Sequence, residues 1–362
     1  MRKLSAMKVL PLLAITLFAL STTAQNITTP RTPSPAATVS QTIGISTVTV
    51  NYSRPSVKSR DVWGALVPYG WNVQQFGAGN SAPWRAGANE NTVIRFSHPV
   101  KLEGQTVPAG AYGLFFVINK DNTGQVILSK DSRSWGSFFY DQKLDQLRAD
   151  IKLRDNSYTE LLTYDFVNLT KNTGELVLNW EKKQFPVKLE YDVDNIVIEN
   201  ATEELKGPTG FNFQGYASAA NYALQNKTNL DQALIWADKA MTMNKTFATE
   251  SIKANVLTAL GKTDDANKLM ADALTIANEA EINLYGYNFL LAGNIDKAIE
   301  VFVLNTKRYP ASPNAWDSLG EGYFNKKDKK NATASFKKSL SLNPPANVKA
   351  NSEKFMQQLA TM

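Results

Sequence analysis

The chain has 362 residues, enough for two ordinary domains, and its 43% hydrophobic, 20% charged and 10% aromatic content is globular rather than disordered or collagen-like. Three of its 39 basic residues and none of its 33 acidic ones lie in the first 24, so the remainder carries 36 against 33, a net +3, too even for a nucleic-acid footprint. Cysteine is absent, which excludes disulfides, thiolate zinc sites, a cysteine nucleophile and a lipidated cysteine.

Residues 1–24 read as a secretory signal. Arg2, Lys3 and Lys8 form a basic start, residues 9–20 are an apolar run too short to span a bilayer, and Thr22 and Ala24 are small. The expected cut falls between Ala24 and Gln25, which implies a periplasmic or secreted protein. No later segment is apolar enough to cross a membrane. Pro30, Pro33 and Pro35 make residues 25–38 an extended, Pro/Thr-rich lead-in.

Residues 39–198 alternate with period two. Val48, Val50 and Tyr52 interleave with Thr47, Thr49 and Asn51, and residues 92–97, 112–118, 125–128, 161–169, 175–180 and 185–191 are β-branched and aromatic. Turn signals at Glu103-Gly104, at residues 108–110, at 121–124 and at 172–174 separate them. Many short strands with close turns predict an all-β antiparallel sandwich or barrel. Gly207, Pro208 and Gly210 place a linker at 199–212.

Beyond it, over 213–362, the period becomes helical. Ala233, Ala266, Ala298 and Ala332 recur at intervals of 33, 32 and 34. In the last unit Trp316, Leu319 and Tyr323 share one helix face, Gly320 allows a close neighbour, Ala332 and Phe336 line a second helix, and Pro344 stops it. The order resembles a tetratricopeptide repeat. Gly286, Phe289, Ala298, Phe302 and Pro310 repeat it, the units near 214–246 and 247–278 keep the spacing, and helix 347–361 caps the array. Helical pairs that share one core predict an α-helical solenoid with a face for a protein or peptide. Trp316 and Tyr323 are expected in its core, and the Lys326, Lys327, Lys329, Lys330 run in a solvated turn.

Five segments of the β-rich region stand out: residues 52–56 (YSRPS), 67–70 (VPYG), 84–92 (WRAGANENT), 107–114 (VPAGAYGL) and 134–138 (SWGSF). Together they resemble domain-of-unknown-function family 2911, over roughly residues 38–192. The resemblance implies an exported bacterial protein, often joined to tetratricopeptide repeats, and brings no established reaction. Residues 71–83 intervene after the VPYG turn, as in a longer-loop subgroup.

Arg54, Arg60, Arg85, Asn89 and Glu90, with Trp63, Tyr69, Trp71, Trp84 and Trp135, are the residues with chemistry to offer. Arginine forks suit anions and tryptophan faces suit sugars, so Arg54, Arg60, Trp84, Arg85, Asn89, Glu90 and Trp135 form the candidate site for a small ligand or glycan. A structural role competes with this: Arg85 paired with Glu90, Asn89 tying a turn, and Gly87 in an unusual backbone angle. His98 is the sole histidine, so no multi-histidine metal site exists. Ser97 beside it is expected on the opposite strand face, not as its partner. Asp61, Glu90, Glu103, Asp131 and Asp141 are the carboxylates from which an acid–base pair would come. Residues 192–195 lack the pattern of a calcium loop, Gly77 and Gly79 precede no phosphate-binding helix, and no cofactor or metal is expected. Together these features describe an exported binding or scaffold protein rather than an enzyme. A carbohydrate-active or other hydrolase with its site in the β-domain loops is the alternative.

Overall fold

The computed structural model describes residues 33–361. The signal segment and most of the Pro/Thr-rich lead-in lie outside the described residues.

Twelve strands come first: β1 (Ala36–Ile43), β2 (Ser46–Ser53), β3 (Asn72–Val73), β4 (Ser81–Ala82), β5 (Val93–Phe96), β6 (Val100–Leu102), β7 (Gln105–Val107), β8 (Gly110–Ile118), β9 (Thr123–Ser129), β10 (Asp145–Lys152), β11 (Arg154–Val167) and β12 (Thr173–Glu190). They form a six-stranded sheet ordered β1-β2-β5-β8-β9-β10, a four-stranded sheet ordered β11-β12-β6-β7, and the small ribbon β3-β4. All strand pairs are antiparallel. The domain is therefore a sandwich. Its core lies between the sheets, where Val48, Val50, Leu114 and Phe116 of one face Leu176, Leu178 and Trp180 of the other. The Glu103-Gly104 turn joining β6 to β7 has both residues at positive φ, 45° and 79°, as a two-residue hairpin requires.

Two strands depart from simple alternation for identifiable reasons. β8 is buried on both faces: Leu114, Phe116 and Ile118 enter the main core, while Phe115 and Val117 join Ile127, Ala82 and Tyr140 in a second one under the 71–83 and 130–144 loops. The two apolar runs expected at 175–180 and 185–191 are one strand, β12, which carries the polar residues 181–184 through a register shift with Glu181 at φ 52°. The lead-in also ends sooner than expected. β1 begins at Ala36 as an edge strand whose exposed face is polar, with Thr38 hydrogen bonded to Asn51 at 2.8 Å.

The stretch expected as linker, 199–212, is ordered. Helix α1 (Val193–Glu204) runs into a 3-10 turn at Pro208–Phe211. The first half of α1 puts Val193 and Ile196 into the sandwich core, and its second half puts Ile198 and Ala201 into the first core of the helical region. Gly44, at φ 62°, lies so close to Val193 that a Cβ there would meet its methyls at 2.6 Å. Across the junction Asp194 accepts from Lys171 at 2.8 Å and from the Tyr222 hydroxyl at 2.9 Å, and Asn229 donates to Asn195 at 2.9 Å.

Four helix pairs follow: α2 (Phe213–Gln225) with α3 (Leu230–Met243), α4 (Phe247–Ala259) with α5 (Thr263–Ile276), α6 (Glu279–Leu291) with α7 (Ile295–Arg308), and α8 (Pro313–Asn325) with α9 (Lys329–Ser341); α10 (Ala346–Thr361) closes the array. Asn212, Thr246, Asn278, Asn294, Ser312 and Asp328 cap helix starts with their side chains. Ala233, Ala266, Ala298 and Ala332 are all buried at the same place in successive pairs. Gly320 touches the Phe336 ring and Gly286 the Phe302 ring, so the signature glycines face the signature aromatics. Trp316 and Tyr323 sit against the repeat cores, and Trp316 Nε1 donates to the Pro310 carbonyl at 2.9 Å. Successive first helices adjoin, α2 on α4 and α6 on α8, and form one side of a solenoid. Among the described residues no helix is long and apolar enough to cross a membrane.

Candidate functional site

Where β5 ends, a loop takes over the free edge of β8. Leu114 N donates to Thr92 O at 2.8 Å, Trp84 and Phe116 exchange backbone hydrogen bonds at 2.8 and 2.9 Å, and Gly70 N donates to Ile118 O at 2.8 Å. This bends residues 66–89 over the mouth of the sandwich and encloses a cavity of about 360 Å3. Its floor is aromatic. Trp84 and Trp180 stack at 5.8 Å and 16°, with Trp63 edge-on to both and Phe185 beside them. Its rim is polar, with Arg60, Arg85, Asn89, Asn72 and Gln74. Trp180 is only 1% exposed and its indole N–H has no protein acceptor. Such a donor costs about 1–3 kcal/mol unless something accepts from it.

Arg85 is held by two of the segments that carry the family resemblance. Its Nη1 donates to Asn89 O at 2.7 Å, its guanidinium lies 4.9 Å from the Phe138 ring centre, and it covers Gly136, where any side chain would collide with it. Ser137 Oγ ties the 134–138 loop to Pro83 O at 2.7 Å. Burial pulls the Arg85 pKa below its ordinary value, and no ion pair of Arg85 occurs among the described residues. The 84–92 loop is locked from beneath, because the Ala86 carbonyl accepts from Thr92 Oγ1 at 3.1 Å and from the Tyr164 hydroxyl at 3.0 Å. The unusual backbone angles fall on Ala86 and Asn89, at φ 53° and 60°, not on Gly87. Gly87 is required for space instead: a Cβ would lie 2.7 Å from Thr92 Oγ1 and 3.2 Å from Ser53 O.

Of the seven sequence candidates, Arg60, Trp84, Arg85 and Asn89 line this cavity. Arg54 does not. It clamps the end of β2 to β11 through Leu162 O at 2.9 Å and Thr163 Oγ1 at 2.6 Å. Trp135 is 49% exposed and outside the lining, and Glu90 is also outside it. Asn89 Nδ2 donates to Ser34 O at 3.4 Å. Trp180, Asn72 and Gln74 were not among the candidates. Trp180 follows Leu176 and Leu178 in inward parity on β12, which is the one signal that pointed to it.

No Asp or Glu is among the described residues lining the cavity. Asp131 is occupied by Ser134 and the backbone of residues 133 and 134; burial would raise its pKa, but those hydrogen bonds hold it low. Asp141 caps Lys143 N at 2.9 Å, and Glu103 accepts from Lys188 N at 2.6 Å. Ser97 and His98 do meet, with Oγ 2.9 Å from Nδ1, contrary to the strand-parity expectation. They lie past the end of β5, where alternation stops, in an exposed bend outside the cavity. Among the described residues no acidic or histidine cluster could hold a metal.

The helical array offers a second concavity, a groove of about 440 Å3 between α4, α5 and α6. Its apolar lining includes Met270, Tyr285 and Phe289, and Leu284, which is 65% exposed. Asn255, Asn267 and Asn288 add three amide side chains. Of these residues the sequence singled out only Phe289, as a repeat-signature position, since repeat positions facing outward carry no spacing of their own.

Residues 34–189 match a family described as "Protein of unknown function (DUF2911)". No curated protein matches the chain. Solved structures that resemble it do so in part. The APC/C heterotetramer Cut9–Hcn1 is 19% identical with TM-score 0.28, over 46% of this chain and 34% of that one, so this chain spans about a third of it. YrrB, described as a TPR protein with an unusual peptide-binding site, is 16% identical with TM-score 0.28, over 44% and 84%. MamA is 18% identical with TM-score 0.29, over 42% and 89%.

Proposed function

We propose that this chain, a DUF2911-type sandwich followed by a tetratricopeptide-like array, is an exported binding and scaffold protein. The repeats hold a protein or peptide along the side built by the first helices, and the sandwich holds a small ligand in its tryptophan-floored cavity. One observation carries the reading: the groove between α4 and α6 sets exposed Leu284 beside the amides of Asn255, Asn267 and Asn288, a mixture of apolar surface with paired donors and acceptors that suits a peptide chain. Export follows from the basic and apolar start of the sequence and places the encounter in the periplasm or outside the cell. A glycoside hydrolase of the usual kind would need a carboxylate pair at its cleft, and the described lining of this cavity holds no Asp or Glu.

Crosslinking in an outer-compartment fraction tests the proposal. The full chain should yield a discrete protein adduct that disappears when residues 213–362 are deleted and when Leu284 is changed to Arg. An adduct that survives both changes, or none at all, contradicts it.

A further inference from the structure

Granted its role as a ligand site, the sandwich cavity carries a charge pattern that specifies more than a generic ligand. Its rim holds two guanidinium groups and its described lining no carboxylate; Glu160, outside the lining, acts on Arg60. Arg60 gives Nε and Nη2 to the Val57 and Ser56 carbonyls, and Arg85 gives Nη1 to Asn89 O. Arg85 Nε and Nη2 have no partner among the described residues, so one edge of the planar fork is available. A half-buried cation with an open bidentate edge is the arrangement that selects a carboxylate. Below it the partly exposed Trp84 indole, backed by buried Trp180, offers aromatic surface that favours a ring over a bare anion. The Trp180 N–H, without a protein acceptor, is sealed beneath this surface and takes no part in the recognition.

We propose that this cavity binds a small carboxylate borne on a six-membered ring, with the carboxylate on the open edge of Arg85 and the ring on Trp84. A volume of about 360 Å3 admits one such ring and lies at the small end of ligand pockets. A neutral sugar would leave Arg85 uncompensated, and inorganic phosphate would leave the aromatic floor uncovered.

Titration of the full-length mature chain by calorimetry and tryptophan fluorescence decides the matter, using D-glucuronate against D-glucose and benzoate against benzyl alcohol. At least one acid should bind ten-fold or more tighter than its neutral counterpart; which acid does so separates a sugar-acid source from an aromatic one. Arg85→Gln should weaken that acid at least ten-fold, and Arg85→Lys, which keeps the charge but loses the fork, should weaken it less. Trp135→Ala, outside the cavity, should leave it unchanged. Both Arg85 variants alter a rim residue, and unchanged circular dichroism and protein-partner crosslinking would exclude unfolding. Neutral compounds binding as well as the acids, no binding by any of the four, or an Arg85→Gln variant of undiminished affinity would each overturn the proposal while leaving the role of the repeats intact.

Discussion

The sandwich and the helical array bury apolar surface over opposite ranges of sequence. In the sandwich the main core gathers residues from Ile43 to Ile196, and ties such as Arg54 to Leu162 and Trp63 to Glu181 span more than a hundred residues. In the array several small cores follow one another, and the contacts that set each pair are short: Gly286 with Phe302, Gly320 with Phe336. A defect in the first should therefore be felt everywhere within it, and a defect in the second should stay near its own repeat. Helix α1 is the exception, because it contributes to both kinds of core.

The sharpest contrast comes from two core substitutions. Phe116, fully buried and 5.1 Å from the Phe185 ring, should cost about 3–5 kcal/mol when changed to Ala. Hydrogen exchange should then accelerate across β1 to β12 together and leave α6 to α9 protected. Protection lost only around β8 would break the account of one main core shared by both sheets. Gly320→Val would push its side chain into the Phe336 ring, 2.6 Å from the position of a Cβ, at about 1–3 kcal/mol. The faster exchange should be confined to α8, α9 and α10, and spread into α2 and α3 would count against independent repeats.

A smaller effect sits at the junction. Tyr222 is pushed up to about 12 by burial and by its hydrogen bond to Asp194, and Tyr222→Phe removes that bond for about 0.5–1.5 kcal/mol. Stability measured on the two halves should become less coupled, while each core keeps its own order. Unchanged coupling would assign the connection to the apolar contacts of α1 alone.

The smallest effect is a difference in sign with pH. In the sandwich, Glu175 is held low: burial opposes this, but Arg154 and Asn168 overcome it. A depressed carboxylate contributes stability at neutral pH that is lost as the pH falls through its folded value. At the end of the array, burial raises Asp317 and Glu321, which accept from Asn351 at 2.8 and 2.7 Å. A raised carboxylate works the other way: the folded state binds the proton more readily, and stability is lost as the pH climbs from the unfolded value through the folded one. Acidification from neutral towards the carboxylate range should therefore slow exchange in α8 to α10 before the sandwich weakens. Asp317→Asn should flatten that gain, and an undiminished gain in the variant would refute the assignment.

Legibility in the sequence divides along the same range of contact. The alanine spacing, the Gly–Phe pairs and the capping helix were legible because each is a local pattern repeated. Strand β2 was legible from alternation and β5, β8 and β9 from their β-branched and aromatic runs, although β8 is buried on both faces because the 71–83 and 130–144 loops cover its second one. The single long β12 was hidden by its polar residues 181–184, and β1 by its polar edge. At the site, Arg85 and Asn89 stood out as part of one motif. Trp180 and Gln74 come to the cavity from distant segments, and Arg54 looked equivalent to Arg60 until the fold turned it towards β11. The Ser97–His98 contact escaped because strand parity was carried one residue past the strand.

The claim that the first helices form the side that meets another protein can be tested by photocrosslinking in the full chain, in its own compartment. A photoreactive residue replaces Leu284 in the α4–α6 groove, or Ile235, 61% exposed on α3, a second helix. The account predicts a discrete heavier adduct from position 284 and none from position 235. Equal adducts from both positions, or an adduct from 235 alone, would contradict it.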